Sequence, residues 1–374
     1  MRVFVTGASG HLGSAIVPEL IAAGHDVVGL ARSDAAAAAV TAYGATAHRG
    51  DLEDLDGLAK AASDADGVIH LAFDHERMRS GDWATAIAAD LAVVHAFGDA
   101  LAGSGKPLVG TSGTLAVANL GRPGTEEDAG VPGGRTDAEN AVIGFADRGV
   151  RSSVVRVPPI THSTLDRHGF ARTLIAIAEQ AGVAGYPGDG TNRWPAGHTL
   201  DVGHLYRLAL EGGPAGTRWH AAGDEGIPVR EIAQSIGDHL GVPTASIPAD
   251  RLEAHFGFLA IVITLDNPTS TRATRRILGW QPTHPGLLAD FDHGDYFTTP
   301  SPLGSGRSRR SCPGLARSAA RGCRVRVVRP RRRPARPAPR GGRGDTPARH
   351  PGACDRWCPP ARRGYGVNVP AMHP

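Results

Sequence analysis

Cysteine is missing from the first 300 residues of this 374-residue chain, since Cys312, Cys323, Cys354 and Cys358 all lie beyond them. That excludes disulfides, thiol catalysis and cysteine-bound metal from the body of the protein. Lysine is nearly as scarce, with only Lys60 and Lys106 in the whole chain. Four residues before them stand Asp56 and Ala102, so no Tyr-x-x-x-Lys exists anywhere. No apolar run reaches the ~18 residues of a membrane helix, so no membrane partner is expected. The N-terminus lacks the basic, apolar and small-residue regions of a secretory signal, and a cytoplasmic address is the expectation.

Two compositions are joined in one chain. Residues 1–300 carry 22 Lys and Arg against 35 Asp and Glu, a net of −13. Residues 301–374 carry 18 Arg, no Lys, and only Asp345 and Asp355, a net of +16. The tail has no hydrophobic periodicity, and Arg329-Pro-Arg-Arg-Arg-Pro-Ala-Arg-Pro-Ala-Pro-Arg340 cannot bury a core, so disorder is expected there. If native, such an arm would bind nucleic acid or an acidic surface. Cys354, Cys358 and His350 form a poor zinc spacing. Arginine without lysine, amid abundant Ala, Gly and Pro, favours a non-native or frame-shifted extension of a GC-rich coding sequence.

The acidic body is organised around its first thirteen residues. Val3-Phe4-Val5 is a short apolar run that suits a strand buried on both faces. It stops at Thr6-Gly7, after which Gly7, Gly10 and Gly13 are spaced G-x-x-G-x-x-G. A helical pattern follows, with Leu12, Ile16, Leu20 and Ile21 on one side. Strand, glycine turn and helix give the geometry that a dinucleotide pyrophosphate requires, with Ser9, His11 and Leu12 in the same loop. Pro18, two turns into that helix, predicts a kink. A second strand ends at Ala31, where a free ribose usually meets an acid. Arg32-Ser33 stands there instead, which favours the 2′-phosphate of NADP over NAD, with Asp34 as a displaced acid in the alternative.

Further along, strands are predicted over 45–49, 67–73, 107–113 and 151–157, with helices over 54–62, 83–102 and 137–147. This alternation predicts an α/β fold with a doubly wound parallel sheet over residues 1–160. Helices around 170–180, 201–210 and 229–240, separated by Gly/Pro-rich turns, predict a substrate lobe over 161–300. Ligands of such sheets lie at the carboxyl ends of the strands.

Thr6-Gly-Ala-Ser-Gly-His-Leu-Gly13, Gly50-Asp-Leu52, Val68-Ile-His-Leu-Ala72 and Thr111-Ser-Gly113 together resemble the extended and atypical short-chain dehydrogenase/reductases, the NAD-dependent epimerase/dehydratase family. Arg156-Val-Pro-Pro-Ile160, Gly188–Trp194, His198, Asp201 and Leu278-Gly-Trp-Gln-Pro282 continue the likeness, which spans residues 1–297. It implies a Rossmann fold, a bound NAD(P), and redox chemistry at a carbinol or carbonyl carbon of a small substrate. It also implies that Asp51 and Leu52 lie near the adenine and that Leu71, Ala72 and Phe73 pass under the cofactor. The catalytic Tyr-x-x-x-Lys of the family is absent, and no tyrosine stands between Thr111 and Arg156.

Replacements for that pair come from Ser112, with Thr111 and Thr114 beside it, and from Arg135 and His162. Gly113 is the other candidate for the catalytic hydroxyl's place. Arg135 and Glu139, four apart, either replace the lysine's charge or form a surface pair, and the surface pair is the expectation. Arg193 and His198 match the substrate-lobe pattern, where a guanidinium clamps an anionic or carbonyl group. No metal ligand set is expected. The functional reading is an NAD(P)-dependent oxidoreductase acting as a monomer or homodimer, with a non-catalytic NADP sensor as the alternative.

Overall fold

A computed structural model describes residues 1–297; the arginine-rich tail, with its nucleic-acid and metal readings, lies outside the described residues. Six strands and their helices alternate through the first half. They are β1 (Arg2–Thr6), α1 (Gly13–Ala22), β2 (Asp26–Ala31), α2 (Asp34–Ala42), β3 (Thr46–Arg49), α3 (Leu55–Asp64) and β4 (Gly67–His70). Then come α4 (His75–Arg79), α5 (Trp83–Leu101), β5 (Pro107–Gly113), α6 (Thr136–Gly144) and β6 (Arg151–Val157). A seventh parallel strand, Thr217–His220, returns from far along the chain to pair with β6. The order is Thr217–His220, β6, β5, β4, β1, β2, β3, so the chain reverses direction between β1 and β4. That reversal opens the crevice in which such sheets hold ligands.

Alternation along β1 explains its burial. Val3 and Val5 face one layer with Ile16, Val17 and Leu20 of α1 and Val202, Leu205 and Tyr206 of helix Thr199–Gly212. Phe4 faces the other layer with Leu58 of α3 and Val93, Val94 and Phe97 of α5. Burying each such aliphatic or aromatic side chain contributes roughly 1.5–3 kcal/mol, so both faces hold the strand. The helix α1 continues through the exposed Pro18 to Ala22. A further apolar cluster, including Leu174, Trp194, Ile232, Phe256 and Phe291, gathers residues from beyond β6.

Two expectations change. Among the described residues, α5 is long and apolar enough to cross a membrane, with a mean hydropathy of 1.4. Its apolar side nevertheless packs into the layer around Phe4, because the residues that make it hydrophobic are those facing the sheet. The strand expected over 67–73 ends at His70, because the next two N–H groups turn onto the Thr6 hydroxyl, Leu71 N and Ala72 N both at 3.2 Å.

Candidate active site

The glycine turn after β1 is built by two close approaches and one open position. Gly7 has φ +67°, and a Cβ there would lie 2.9 Å from Ala72 N. A Cβ at Gly13 would lie 2.3 Å from Ala8 O, so strand and helix meet there with no room for a side chain. Gly10 differs: it is exposed, and a Cβ would meet only Gly7 O, at 3.2 Å, leaving open space above the turn. No side chain caps α1, and the N–H groups of His11 and Leu12 find no acceptor among the described residues. Free N–H groups over an open cradle at a helix start fit a pyrophosphate. Ser9 is half-buried in the same loop.

Polar bonds brace this turn from behind. The Thr6 hydroxyl accepts from Leu71 N and Ala72 N, so its own proton goes to His70 Nδ1, 2.7 Å away. His70 is then the Nε2–H tautomer and donates to Asp90 at 3.1 Å. His11 reaches sideways to Thr199 Oγ1 at 3.0 Å. Thr199 in turn donates to the carbonyl of His162, which ties the glycine turn to the segment after β6.

At the β2 side of the crevice, Arg32 is exposed and has no ion-pair partner among the described residues. Ser33 caps α2 by accepting from Ala36 N at 3.2 Å. Asp34, the alternative ribose acid, is taken by Arg49 at 2.8 Å. The register of β2 and β3 sets Arg49 beside Ala31, next to Arg32 and the Ser33 cap in the chain. Asp51 accepts from Glu53 N, and Leu52 packs against the layer around Phe4.

At the β5 end the expected cluster divides. Thr111 is half-buried and donates to the His70 carbonyl at 2.6 Å, so the neighbouring hydroxyl of Tyr206, 2.8 Å away, donates to Thr111. Burial raises the Tyr206 pKa further above its usual value, so this phenol holds its proton. Ser112 is buried, points to the opposite layer, and helps hold Glu139 ionised. Thr114 is fully buried and exchanges two hydrogen bonds with Asn267, at 2.7 and 2.8 Å. Neither Ser112 nor Thr114 offers a free hydroxyl to the crevice. Gly113 offers space: a Cβ there meets nothing closer than 3.7 Å.

The surface pair of Arg135 and Glu139 does not form. Glu139 is 2% exposed and binds Arg156 and Arg218 instead. Burial pushes its pKa up, but Arg156 and the other donors outweigh this and the net shift is downward. Arg135 lies over the Phe73 ring, its Cζ 3.9 Å from the centroid. Among the described residues its guanidinium has no hydrogen-bond or ion-pair partner. It stands at the start of α6, between β5 and β6.

Three further expectations are corrected. His162 is fully buried, its Nδ1 held by Asp290 at 2.9 Å and its Nε2 without a partner among the described residues, so it lies in the interior rather than in an open loop. Arg193 is occupied by a two-pronged ion pair with Asp266, at 3.1 and 2.8 Å, and is no free clamp. His198 caps helix Thr199–Gly212 by accepting from Leu200 N, and its ring stacks on His284 at 4.4 Å. Burial, then His162 and His284, lower its pKa to about 4. His198, Asp201 and His284 bring ligand atoms within 4.8 Å of one another. The Asp201 carboxylate already accepts from Thr283 N, Thr283 Oγ1, His284 N and His284 Nδ1, so these residues form a hydrogen-bonded clamp.

Comparison with known proteins agrees with this geometry. The family model for the NAD dependent epimerase/dehydratase family matches residues 3–129. An uncharacterized protein of Schizosaccharomyces pombe is 44% identical over 299 residues, covering 79% of this chain and 100% of the relative. A 4-hydroxy-2-methyl-3-oxo-4-farnesyl-3,4-dihydroquinoline-1-oxide ketoreductase of Stigmatella aurantiaca is 28% identical over 283 residues, 69% of this chain and 80% of that protein. The fold matches a dTDP-glucose 4,6-dehydratase of Streptomyces venezuelae with a TM-score of 0.62 at 20% identity, over 78% of this chain and 96% of that one. The chain, with its Gly7–Gly13 turn, belongs to the NAD-dependent epimerase/dehydratase family.

Proposed function

We propose that this protein is an NADP(H)-dependent reductase of a small carbonyl compound, working in the cytoplasm as a monomer or homodimer. The observation that carries the reading is Arg135: a guanidinium without a partner among the described residues, over Phe73, on the β4–β5 side of the glycine turn. That is the side of the crevice where the nicotinamide half of a dinucleotide falls when its pyrophosphate sits on α1. The likeness to a ketoreductase supports the same direction. Arg32, Arg49 and Ser33 support NADP over NAD, because two cations and a helix start meet where a 2′-phosphate would lie.

NADPH, when bound, supplies the hydride. Arg135 would place positive charge beside the oxygen that becomes an alkoxide when the carbonyl carbon is reduced. An arginine keeps its proton at any working pH, so the alkoxide takes its proton from water. One carbonyl, one NADPH and one proton thus give one alcohol and one NADP⁺. Thr111, whose hydroxyl is tied to the His70 carbonyl, orients rather than donates. The test is loss of NADPH absorbance with a panel of small ketones and aldehydes. Turnover with any of them, lost in Arg135→Leu, supports the reading.

The burial of Glu139 against Arg156 favours a second reading. A carboxylate spent on the fold cannot hold a ribose or tune a phenol, as the family's lysine does. A non-catalytic NADP sensor would bind NADPH tightly and consume none across the same panel.

A further inference from the structure

We infer that the substrate carries a carboxylate beside its carbonyl group, and that Arg135 is the residue that receives it; this rests on the reductase reading above. Among the described residues, Arg193, Arg156, Arg218 and His162 are already engaged. Arg193 is paired two-pronged with Asp266. Arg156 is fully buried on Glu139, and Arg218 divides its guanidinium between Glu139 and Asn140. His162 is enclosed against Asp290. Arg135 alone among these keeps its N–H groups unassigned. Asp90, whose charge acts on it, is held by His70 and makes no ion pair with it.

The ring beneath it positions the guanidinium, whose Cζ lies 3.9 Å from the ring centroid. Phe73 follows directly on Leu71 and Ala72, whose N–H groups are pinned to Thr6, so the ring is attached to the braced end of β4. The guanidinium has no hydrogen-bond or ion-pair partner among the described residues, so its N–H donors are available to a ligand. A planar fork with its donors free matches the two oxygens of a carboxylate, and two parallel bonds would orient the carbonyl as well as hold the anion. The alkoxide formed on a neighbouring carbon then falls within the field of the same cation. Substrates of this class are 2-oxo and 3-oxo acids, reduced to hydroxy acids.

The experiment compares acids with their methyl esters on the full-length protein. Phenylglyoxylate and acetoacetate are each paired with their ester, and kcat/KM is measured by NADPH consumption for wild type, Arg135→Gln and Arg135→Lys. Wild type is expected to prefer at least one acid by roughly 10- to 100-fold, the worth of hydrogen bonds between charged groups. Arg135→Gln brings that ratio to near 1, and Arg135→Lys, with charge but no fork, falls between. Esters reduced as well as acids by wild type, or a ratio untouched in Arg135→Gln, would overturn the inference. If Arg135→Gln does not fold, the KM of Arg135→Lys for the acid decides, a rise being expected and an unchanged value being contrary. If no compound turns over, the reductase reading fails by itself. Calorimetric titration of phenylglyoxylate into the NADPH-saturated protein then decides the inference separately: Arg135-dependent binding supports it, and no binding overturns it.

Discussion

Glu139 and Arg156 bury their charges against each other, with Arg156 Nε donating to Glu139 Oε2 at 3.0 Å and both side chains closed to solvent. Arg218 donates to the other carboxylate oxygen at 2.7 Å. Removing one member of a buried pair leaves the other charge uncompensated, which costs about 3–5 kcal/mol. Glu139→Ala should lower the unfolding free energy by that amount in urea titration. A loss under ~1 kcal/mol would mean that the cluster is not holding β6 to α6. Glu139→Lys should be worse, because it sets a third cation against Arg156 and Arg218.

The glycines of the first turn should separate cofactor binding from folding. Gly10→Val adds a side chain to open space, so the melting temperature should stay near wild type while NADPH binding is lost. Gly13→Val drives a Cβ into Ala8 O and should destabilise the fold itself. Thermal melts with and without NADPH distinguish the two. A Gly10→Val protein that is still stabilised by NADPH would contradict the placement of the pyrophosphate.

On the proposed NADP reading, cofactor choice should follow from Arg32 and Arg49. Each should contribute one charged hydrogen bond to a 2′-phosphate, so Arg32→Ala and Arg49→Ala should each weaken NADPH by roughly 10- to 100-fold. NADH affinity should move little. Arg49→Ala also frees Asp34, which becomes available to a ribose hydroxyl, so its NADH affinity should rise slightly. Equal affinity of the wild type for NADPH and NADH, measured by calorimetry, would sink the assignment.

Part of the acid sensitivity should trace to His220, alongside His198. His220 accepts from Arg156 at 3.2 Å and is held near Ser270 O at 2.9 Å, so it is neutral with its proton on Nδ1. Burial, then the charge of Arg156, lowers its pKa to about 3. Below the ordinary histidine pKa of ~6.5 the unfolded chain binds a proton that the folded chain refuses. Stability contributed above that pH is therefore lost as pH falls toward 3, at up to ~1.4 kcal/mol per pH unit from this group. His220→Asn should flatten the fall of unfolding free energy between pH 6.5 and 4. A slope equal to that of wild type would assign the acid sensitivity elsewhere.

Local patterns were readable from the sequence, and long-range partners were not. Val3-Phe4-Val5 followed by Gly7, Gly10 and Gly13 announces strand, turn and helix because every constraint acts within thirteen residues. The bounds of β5 and β6 are fixed in the same way, by apolar runs between a proline or arginine start and a glycine or proline stop. Thr114 looked like a candidate hydroxyl because its partner, Asn267, stands 153 positions away. Arg193 looked free for the same reason, since Asp266 is 73 positions distant. The strand Thr217–His220 is four residues long and has no alternation to reveal it. Arg49, at the end of a weak β3, signals nothing until the register sets it beside Ala31.

Hydride transfer itself is the most direct measurement. NADPH carrying deuterium at the transferable position of the nicotinamide should be incubated with the full-length protein and phenylglyoxylate, and the products weighed by mass spectrometry. The account predicts a hydroxy acid carrying one deuterium on the former carbonyl carbon, formed by wild type and lost in Arg135→Leu. Tight NADPH binding with no deuterated alcohol from any compound of the carbonyl panel would contradict it and leave a nucleotide sensor in its place.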